Sequence, residues 1–276
     1  MSQLAIQEFF EDEIDPVAPV SQKARKRKLK KLEKAVKQDR RNPKPLTPRT
    51  TMQAMYVASL TQNELTFGVG PAGVGKTYVP ARVYGAMLAN GEITKLYIAR
   101  PNVAKKRHQN GFLPGTLEEK TAPWLVPIYE GLKESMGPAV FDQMRRDKKI
   151  EEVPYEYMQG RTFKNAACII DEAENLDLDD LYITLTRQGE DLLMCLCGDI
   201  YQSRIPDSGL QRVIDMAQRE EMESVGVIVF TEEDVVRSRQ AKQWVRAFRR
   251  HETLQIEEDC ATFYGTTTPT FLQGNG

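Results

Sequence analysis

The chain has 276 residues, 41% of them hydrophobic, with 38 Lys or Arg against 39 Asp or Glu and a net charge of −1. This suits a soluble globular protein with a sizeable core, as one large domain or two small ones, and excludes a molecule that is a polycation as a whole. No apolar run approaches the roughly 20 residues of a membrane span, and the N-terminus lacks the basic-then-apolar pattern of a secretory signal.

Residues 1–20 are acidic and contain prolines, so little stable structure is expected there beyond a turn of helix at Leu4 to Phe10. Ser21 to Arg41 holds 11 Lys or Arg against Glu33 and Asp39. Such a segment is either a solvated arm or an electrostatic contact for nucleic acid with salt-sensitive affinity. It has no aromatic residue on which a base could stack. Three prolines between Asn42 and Pro48 read as a linker. The expected organisation is a flexible extension over 1–45, one domain over 46–252, and a flexible tail over 253–276.

Thr50 to Leu60 reads as a helix carrying Gln53. A glutamine shortly before a phosphate loop can bond the adenine edge, because its amide offers a donor and an acceptor; a plain surface glutamine is the alternative. A short β-leaning stretch, Thr66 to Gly70, leads into Gly70-Pro71-Ala72-Gly73-Val74-Gly75-Lys76-Thr77. This is the G-x-x-x-x-G-K-T spacing of a nucleotide-binding P-loop. The glycines let the backbone curl round a phosphate with N–H groups inward, and the following helix adds the positive end of its dipole. Lys76 reaches the β- and γ-phosphates, and the Thr77 hydroxyl can ligate Mg²⁺. The helix runs to Asn90-Gly91, with Pro80 tolerated in its first turn.

Lys95 to Ala99 is a second strand, ending at Arg100-Pro101. The polar loop Asn102 to Gly115 carries Lys105, Lys106, Arg107 and His108 and closes on Gly111-Phe112-Leu113-Pro114-Gly115. Ligands gather at strand ends in open α/β sheets, so this loop is a candidate phosphate-backbone contact, or simply an exposed loop. Leu117 to Arg146 reads as helices interrupted by prolines. Ala166 to Ile170 is apolar without alternation, the pattern of a strand buried on both faces. It delivers Asp171 and Glu172 at its end. There the first carboxylate can hold Mg²⁺ and the second can orient the attacking water, although an acidic helix cap is also possible.

Leu192 to Cys197 is another apolar strand, followed by Gly198-Asp199 and Gln202, a candidate γ-phosphate sensor or a simple loop glutamine. Cys195 and Cys197 should share one face of it. Of four cysteines, Cys168, Cys195, Cys197 and Cys260, most lie in apolar runs as buried free thiols. With only His108 and His251 available, no zinc cluster is completed. A reduced, cytoplasmic setting is expected. After a strand at Val225 to Phe230, Arg237 begins a basic helix through Arg250. Arg237 is a candidate arginine finger, or an exposed helix-start arginine.

Together these segments resemble the PhoH-like family of P-loop ATPases over about residues 50–250. The shared elements include the P-loop through Tyr78, Gly111-Phe112-Leu113-Pro114-Gly115, Gly160-Arg161-Thr162, Asp171-Glu172-Ala173, Leu185-Thr186-Arg187, Gly198-Asp199-Ile200 with Gln202, Ser208-Gly209-Leu210 and Asp234-Val235-Val236-Arg237. The resemblance implies a RecA-like three-layer α/β sandwich with a mostly parallel sheet, similar to one motor domain of superfamily 1 helicases. It implies that Gln53 and Gly70 through Tyr78 bind ATP, and that Thr77 and Asp171 bind Mg²⁺. Lys76, Glu172, Gln202 and Arg237 would be catalytic, Arg237 on a neighbour in a hexameric ring, with RNA as the nucleic-acid partner.

Three departures stand out. Position 174 is Glu where the family has Gln, so an ionised side chain there cannot donate a hydrogen bond. The loop after Arg100-Pro101 is basic at Lys105 to Arg107 where the family has an acid, and Ser238-Arg239 replaces His-Pro. A core of this size with long tails suits a phage- or plasmid-encoded relative, placed in the host cytoplasm if phage-encoded. The competing reading is a slow-hydrolysing nucleotide switch, kept open by Glu174.

Overall fold

The computed structural model describes residues 43, 45–101, 125–155, 163–186 and 188–264. The basic arm, the loop with Lys105 to His108, Gly111 to Gly115, Gly160 to Thr162 and Arg187 lie outside the described residues.

Six strands form one sheet: β1 (Leu65–Val69), β2 (Lys95–Arg100), β3 (Ile150–Pro154), β4 (Ala166–Ile170), β5 (Leu192–Gly198) and β6 (Val225–Val229). Their order is β3-β2-β4-β5-β1-β6, and every neighbouring pair is parallel. Parallel strands need helical crossovers, which cover both faces, so their sequences are apolar throughout. β4 shows how. Ala167 and Ile169 point into one core with Leu60, Tyr84, Ile128, Leu132 and Phe141. Cys168 and Ile170 point into the other with Phe67, Leu176, Leu181, Leu210 and Ile214. Each fully buried Ile or Leu contributes about 1.5–3 kcal/mol of hydrophobic stabilisation. Helices α1 (Thr51–Gln62), α2 (Tyr78–Asn90), α3 (Val126–Met136) and α4 (Pro138–Arg146) contribute to the first layer, and α5 (Leu178–Leu185) and α6 (Leu210–Arg219) to the second. This is the three-layer α/β sandwich of P-loop nucleoside triphosphatases.

Helix ends follow local chemistry. The Thr50 side chain caps α1 by accepting from the Gln53 N–H, and Gly91 ends α2 in the left-handed conformation at φ 79°. Pro127 and Pro138 sit in the first turns of α3 and α4, so these prolines open helices instead of interrupting them. β3 is absent from the sequence reading. It is an edge strand paired only with β2, and Ile-Glu-Glu-Val-Pro carries no clear periodicity. α5 and α6 were also not anticipated, and α7 (Arg239–Tyr264) continues past Arg250. No helix among the described residues is long and apolar enough to cross a membrane.

β5 stands between β1 and β4. The loops after β1, β4 and β5 therefore emerge side by side at one sheet edge and carry Lys76, Thr77, Asp171, Glu172 and Gln202, while Gln53 comes from α1 and Arg237 from the segment after β6.

Candidate nucleotide site

The loop after β1 is shaped by backbone. Gly70, Gly73 and Gly75 have φ of 145°, 89° and 95°, values that side-chain-bearing residues rarely adopt. The Gly70 N–H donates to the Gly198 carbonyl at 3.1 Å, tying the loop to the end of β5, and the Val79 N–H donates to Gly75 at 2.9 Å as α2 begins. The loop's floor is built of side chains. Gln53, buried on α1, donates from Nε2 to the Val74 carbonyl at 2.8 Å and accepts at Oε1 from the Arg49 N–H at 2.9 Å. Tyr56 donates its hydroxyl to the Lys76 carbonyl at 2.8 Å and rests 2.9 Å from Cys195 Sγ. The Cys197 thiol donates to the same carbonyl at 3.0 Å. Gly68 lets this tyrosine lie against β1, since a Cβ there would be 2.3 Å from its oxygen.

Lys76 curls over its own loop and donates to the carbonyls of Gly70 at 2.5 Å and Pro71 at 2.9 Å. Burial pulls its ammonium below the usual range, against the attraction of Asp199, Cys197, Glu174 and Asp171. The Thr77 hydroxyl donates to Asp171 Oδ1 at 2.7 Å. Burial pushes the Asp171 carboxyl up, while the Thr77 hydrogen bond and Arg100 hold it down. Thr77 and Asp171 thus meet as a hydroxyl and one carboxylate, the kind of sparse oxygen set Mg²⁺ takes when phosphate and water supply the rest. No group of three or more His, Cys, Asp or Glu able to hold a metal occurs among the described residues.

Glu172 follows in the left-handed conformation at φ 54°, an uncommon state for a non-glycine residue and typical of functional loops. Its carboxylate pairs closely with Arg100 and lies 3.5 Å from Arg204; Arg100 also lies 3.5 Å from Asp171. Glu174 is buried, and its Oε2 accepts from the Asp199 N–H at 3.1 Å. Burial pushes its carboxyl up to about 7. A carboxyl held there is protonated about half the time at neutrality and can donate a hydrogen bond in that form.

Gln202 donates to Asp199 Oδ2 at 2.9 Å, and Asp199 Oδ1 also accepts from Arg249 at 3.1 Å. Arg237 lies along the P-loop of its own chain. The neighbouring Val236 N–H donates to the Gly73 carbonyl at 3.0 Å, and a Cβ on Gly73 would stand 2.8 Å from Arg237 Cδ. Tyr78 turns away from the loop, donating to Glu134 of α3 at 2.6 Å.

The structure therefore brings Lys76, Thr77, Asp171 and Glu172 to one sheet edge, with Gln202 tied to the Asp199 beside them and Arg237 against Gly73. Gln53 is placed beneath the loop, with its amide engaged in bracing it. The sequence reading assigned no role to Tyr56, Arg100, Arg204 or Arg249. Of these, Arg100 had a signal, its place at the end of a strand in Arg100-Pro101, an element that also belongs to the family resemblance.

A family model described as "PhoH-like protein" matches residues 45–249. The chain is 35% identical over 215 residues to a PhoH-like protein of Mycobacterium tuberculosis, covering 77% of this chain and 60% of the relative. It is 34% identical over 214 residues to Protein PhoH of Escherichia coli K12, covering 76% and 60%. It thus spans about 60% of the length of these relatives. Among solved structures it is similar to the HK97 bacteriophage large terminase, at TM-score 0.48 and 12% identity over 79% of this chain and 50% of that one. Pif1 helicase from Candida albicans aligns at TM-score 0.32 and 15% identity over 67% and 41%.

Proposed function

The chain belongs to the PhoH-like protein family, and on that premise we propose that it binds and hydrolyses ATP with Mg²⁺, in a cycle coupled to nucleic acid, with RNA the favoured track. The observation that carries this is the convergence of a glycine-shaped P-loop, the Thr77–Asp171 pair and Glu172 at one sheet edge. The loop N–H groups and Lys76 take the phosphates, and Lys76 exchanges its loop carbonyls for phosphate oxygens. Thr77 and Asp171 hold Mg²⁺, which neutralises phosphate charge. Glu172, once released from Arg100, orients the attacking water. Gln202 reports the γ-phosphate through Asp199, and Arg237, which lies against Gly73 of its own loop, supplies positive charge there instead of on the neighbour's site that the family resemblance implies. Gln53 serves the adenine end by fixing Val74 and, with its remaining N–H, by touching the base. A homo-oligomeric ring, hexameric as the family resemblance implies, closes the site from outside.

The test is ATP turnover by the purified chain with Mg²⁺, with and without RNA or DNA, beside Lys76→Ala and Glu172→Gln. Both variants should lose at least about 100-fold in turnover, the scale of a lost transition-state contact. Stimulation by one nucleic acid names the track. The second reading, a nucleotide switch, is favoured by the pairing of Glu172 with Arg100. Tight ATP binding without turnover under any addition establishes it and rejects the motor.

A further inference from the structure

We propose that the outward face of α7, built on Trp244 and Phe248, is a stacking platform for single-stranded nucleic acid. The inference rests on the nucleic-acid half of the function proposed above and assigns it a surface.

The inward stripe of α7 is satisfied. Val245 packs against the core, Lys242 and Arg246 pair with Glu233, and Arg249 bonds Asp199. One turn apart on the other side, Trp244 is 59% exposed and Phe248 63%. Their ring centroids are 5.9 Å apart with planes 33° apart, so two flat apolar surfaces stand side by side in water. Exposed Gln240, Gln243 and His251 continue the face, and exposed Arg239 and Arg250 flank it.

Charge selects the occupant. Residues 239–251 carry five Lys or Arg and no acid; three of the five are paired with Glu233 and Asp199, the other two, Arg239 and Arg250, are exposed, and acids enter the helix only from Glu252 onward. A second protein would need an acidic, apolar counterpart, whereas single-stranded nucleic acid offers base faces for the rings and phosphates for the arginines. The face also has a route to the site. Arg249 lies 3.9 Å from the Tyr201 ring centroid and bonds Asp199, the residue that Gln202 also bonds. A strand seated on α7 therefore bears on the loop proposed to sense phosphate.

The test is anisotropy of labelled oligo(U) and oligo(dT) of about 20 nucleotides, longer than the ~4–16 one module covers. The full chain is compared with W244A/F248A, W244Y/F248Y and R239A/R250A, each checked by thermal melting and by mass in solution. W244A/F248A should bind roughly tenfold or more weaker with its salt slope kept and its basal ATP turnover unchanged, and W244Y/F248Y should bind nearly as the parent does. R239A/R250A should flatten the salt slope by about one to two. Parent-like affinity in W244A/F248A, while the parent binds, overturns the surface assignment and leaves the proposed function standing. A loss of oligomer mass with unchanged affinity also overturns it and makes the face a contact between copies. Failure of the parent to bind either oligonucleotide sinks both this inference and the nucleic-acid half of the function.

Discussion

The loop after β1 and the loops after β4 and β5 lie side by side, yet they are held by different forces. The first is fixed by backbone: three glycines at positive φ and carbonyls gripped by Gln53, Tyr56 and Cys197. The others are fixed by charge, with Arg100 and Arg204 on Glu172 and Arg249 on Asp199. Backbone geometry is written in a short contiguous stretch. Charge geometry is assembled from residues separated by tens of positions, so each half should fail in its own way.

The sharpest break is at Gly70. Besides its φ of 145°, a Cβ there would stand 2.5 Å from the Phe230 carbonyl oxygen. Gly70→Ala should destabilise the chain by about 2–4 kcal/mol in urea unfolding and weaken ATP binding with it. An unchanged unfolding midpoint would mean that the loop is not held by this contact.

Next is Glu174, whose folded carboxyl titrates at about 7 against an ordinary 4.5. Between those values the folded state binds more protons than the unfolded one, so stability falls as pH rises through that window. The full fall is at most about 3.5 kcal/mol, at roughly 1.4 kcal/mol per pH unit. Glu174→Gln removes it: the variant should be more stable than the parent at pH 8, while the difference shrinks towards pH 5. Parallel stability curves across that range would refute the shift.

Arg100→Ala leaves Glu172 with Arg204 as its one cation among the described residues and takes a cation from Asp171. Its cost should be about 1–3 kcal/mol, the scale of a partly buried charge-assisted pair. Metal-free ATP binding should also weaken, because two acids then face the phosphates with less compensation. Smallest is Arg204→Ala. Its 3.5 Å contact is partly exposed, so its effect on stability should stay within about 0.5 kcal/mol. If Arg204 proved as costly as Arg100, the two arginines would be acting as one unit.

The same contrast explains what could be read in advance. β1, β4 and β5 are apolar runs, the P-loop is a spacing, and the acid pair ends a buried strand, so the sheet core and the meeting of four candidate residues, Lys76, Thr77, Asp171 and Glu172, at one sheet edge were legible. β3 was not, because an edge strand needs no continuous apolar run. Tyr56 was not, because its task depends on Gly68 leaving room in β1. Gln53 was noticed for its amide, but which partner that amide takes depends on how α1 lies beneath Val74. Arg204 and Arg249 carry no local pattern at all; only the folded sheet edge brings them to acids 32 and 50 positions away.

The thiols under the P-loop give the chain a built-in clock. Cys195 and Cys197 are fully buried against Tyr56 and Lys76, while Cys168, equally buried, lies in the opposite core. An alkylating reagent can reach the first two only when the phosphate loop lifts from its floor, and Cys168 only when the other layer opens. Labelling rates at these positions, resolved by peptide mass, therefore time local opening beneath the loop against opening elsewhere in the same molecule. Added ATP should slow the clock at Cys195 and Cys197 more than at Cys168.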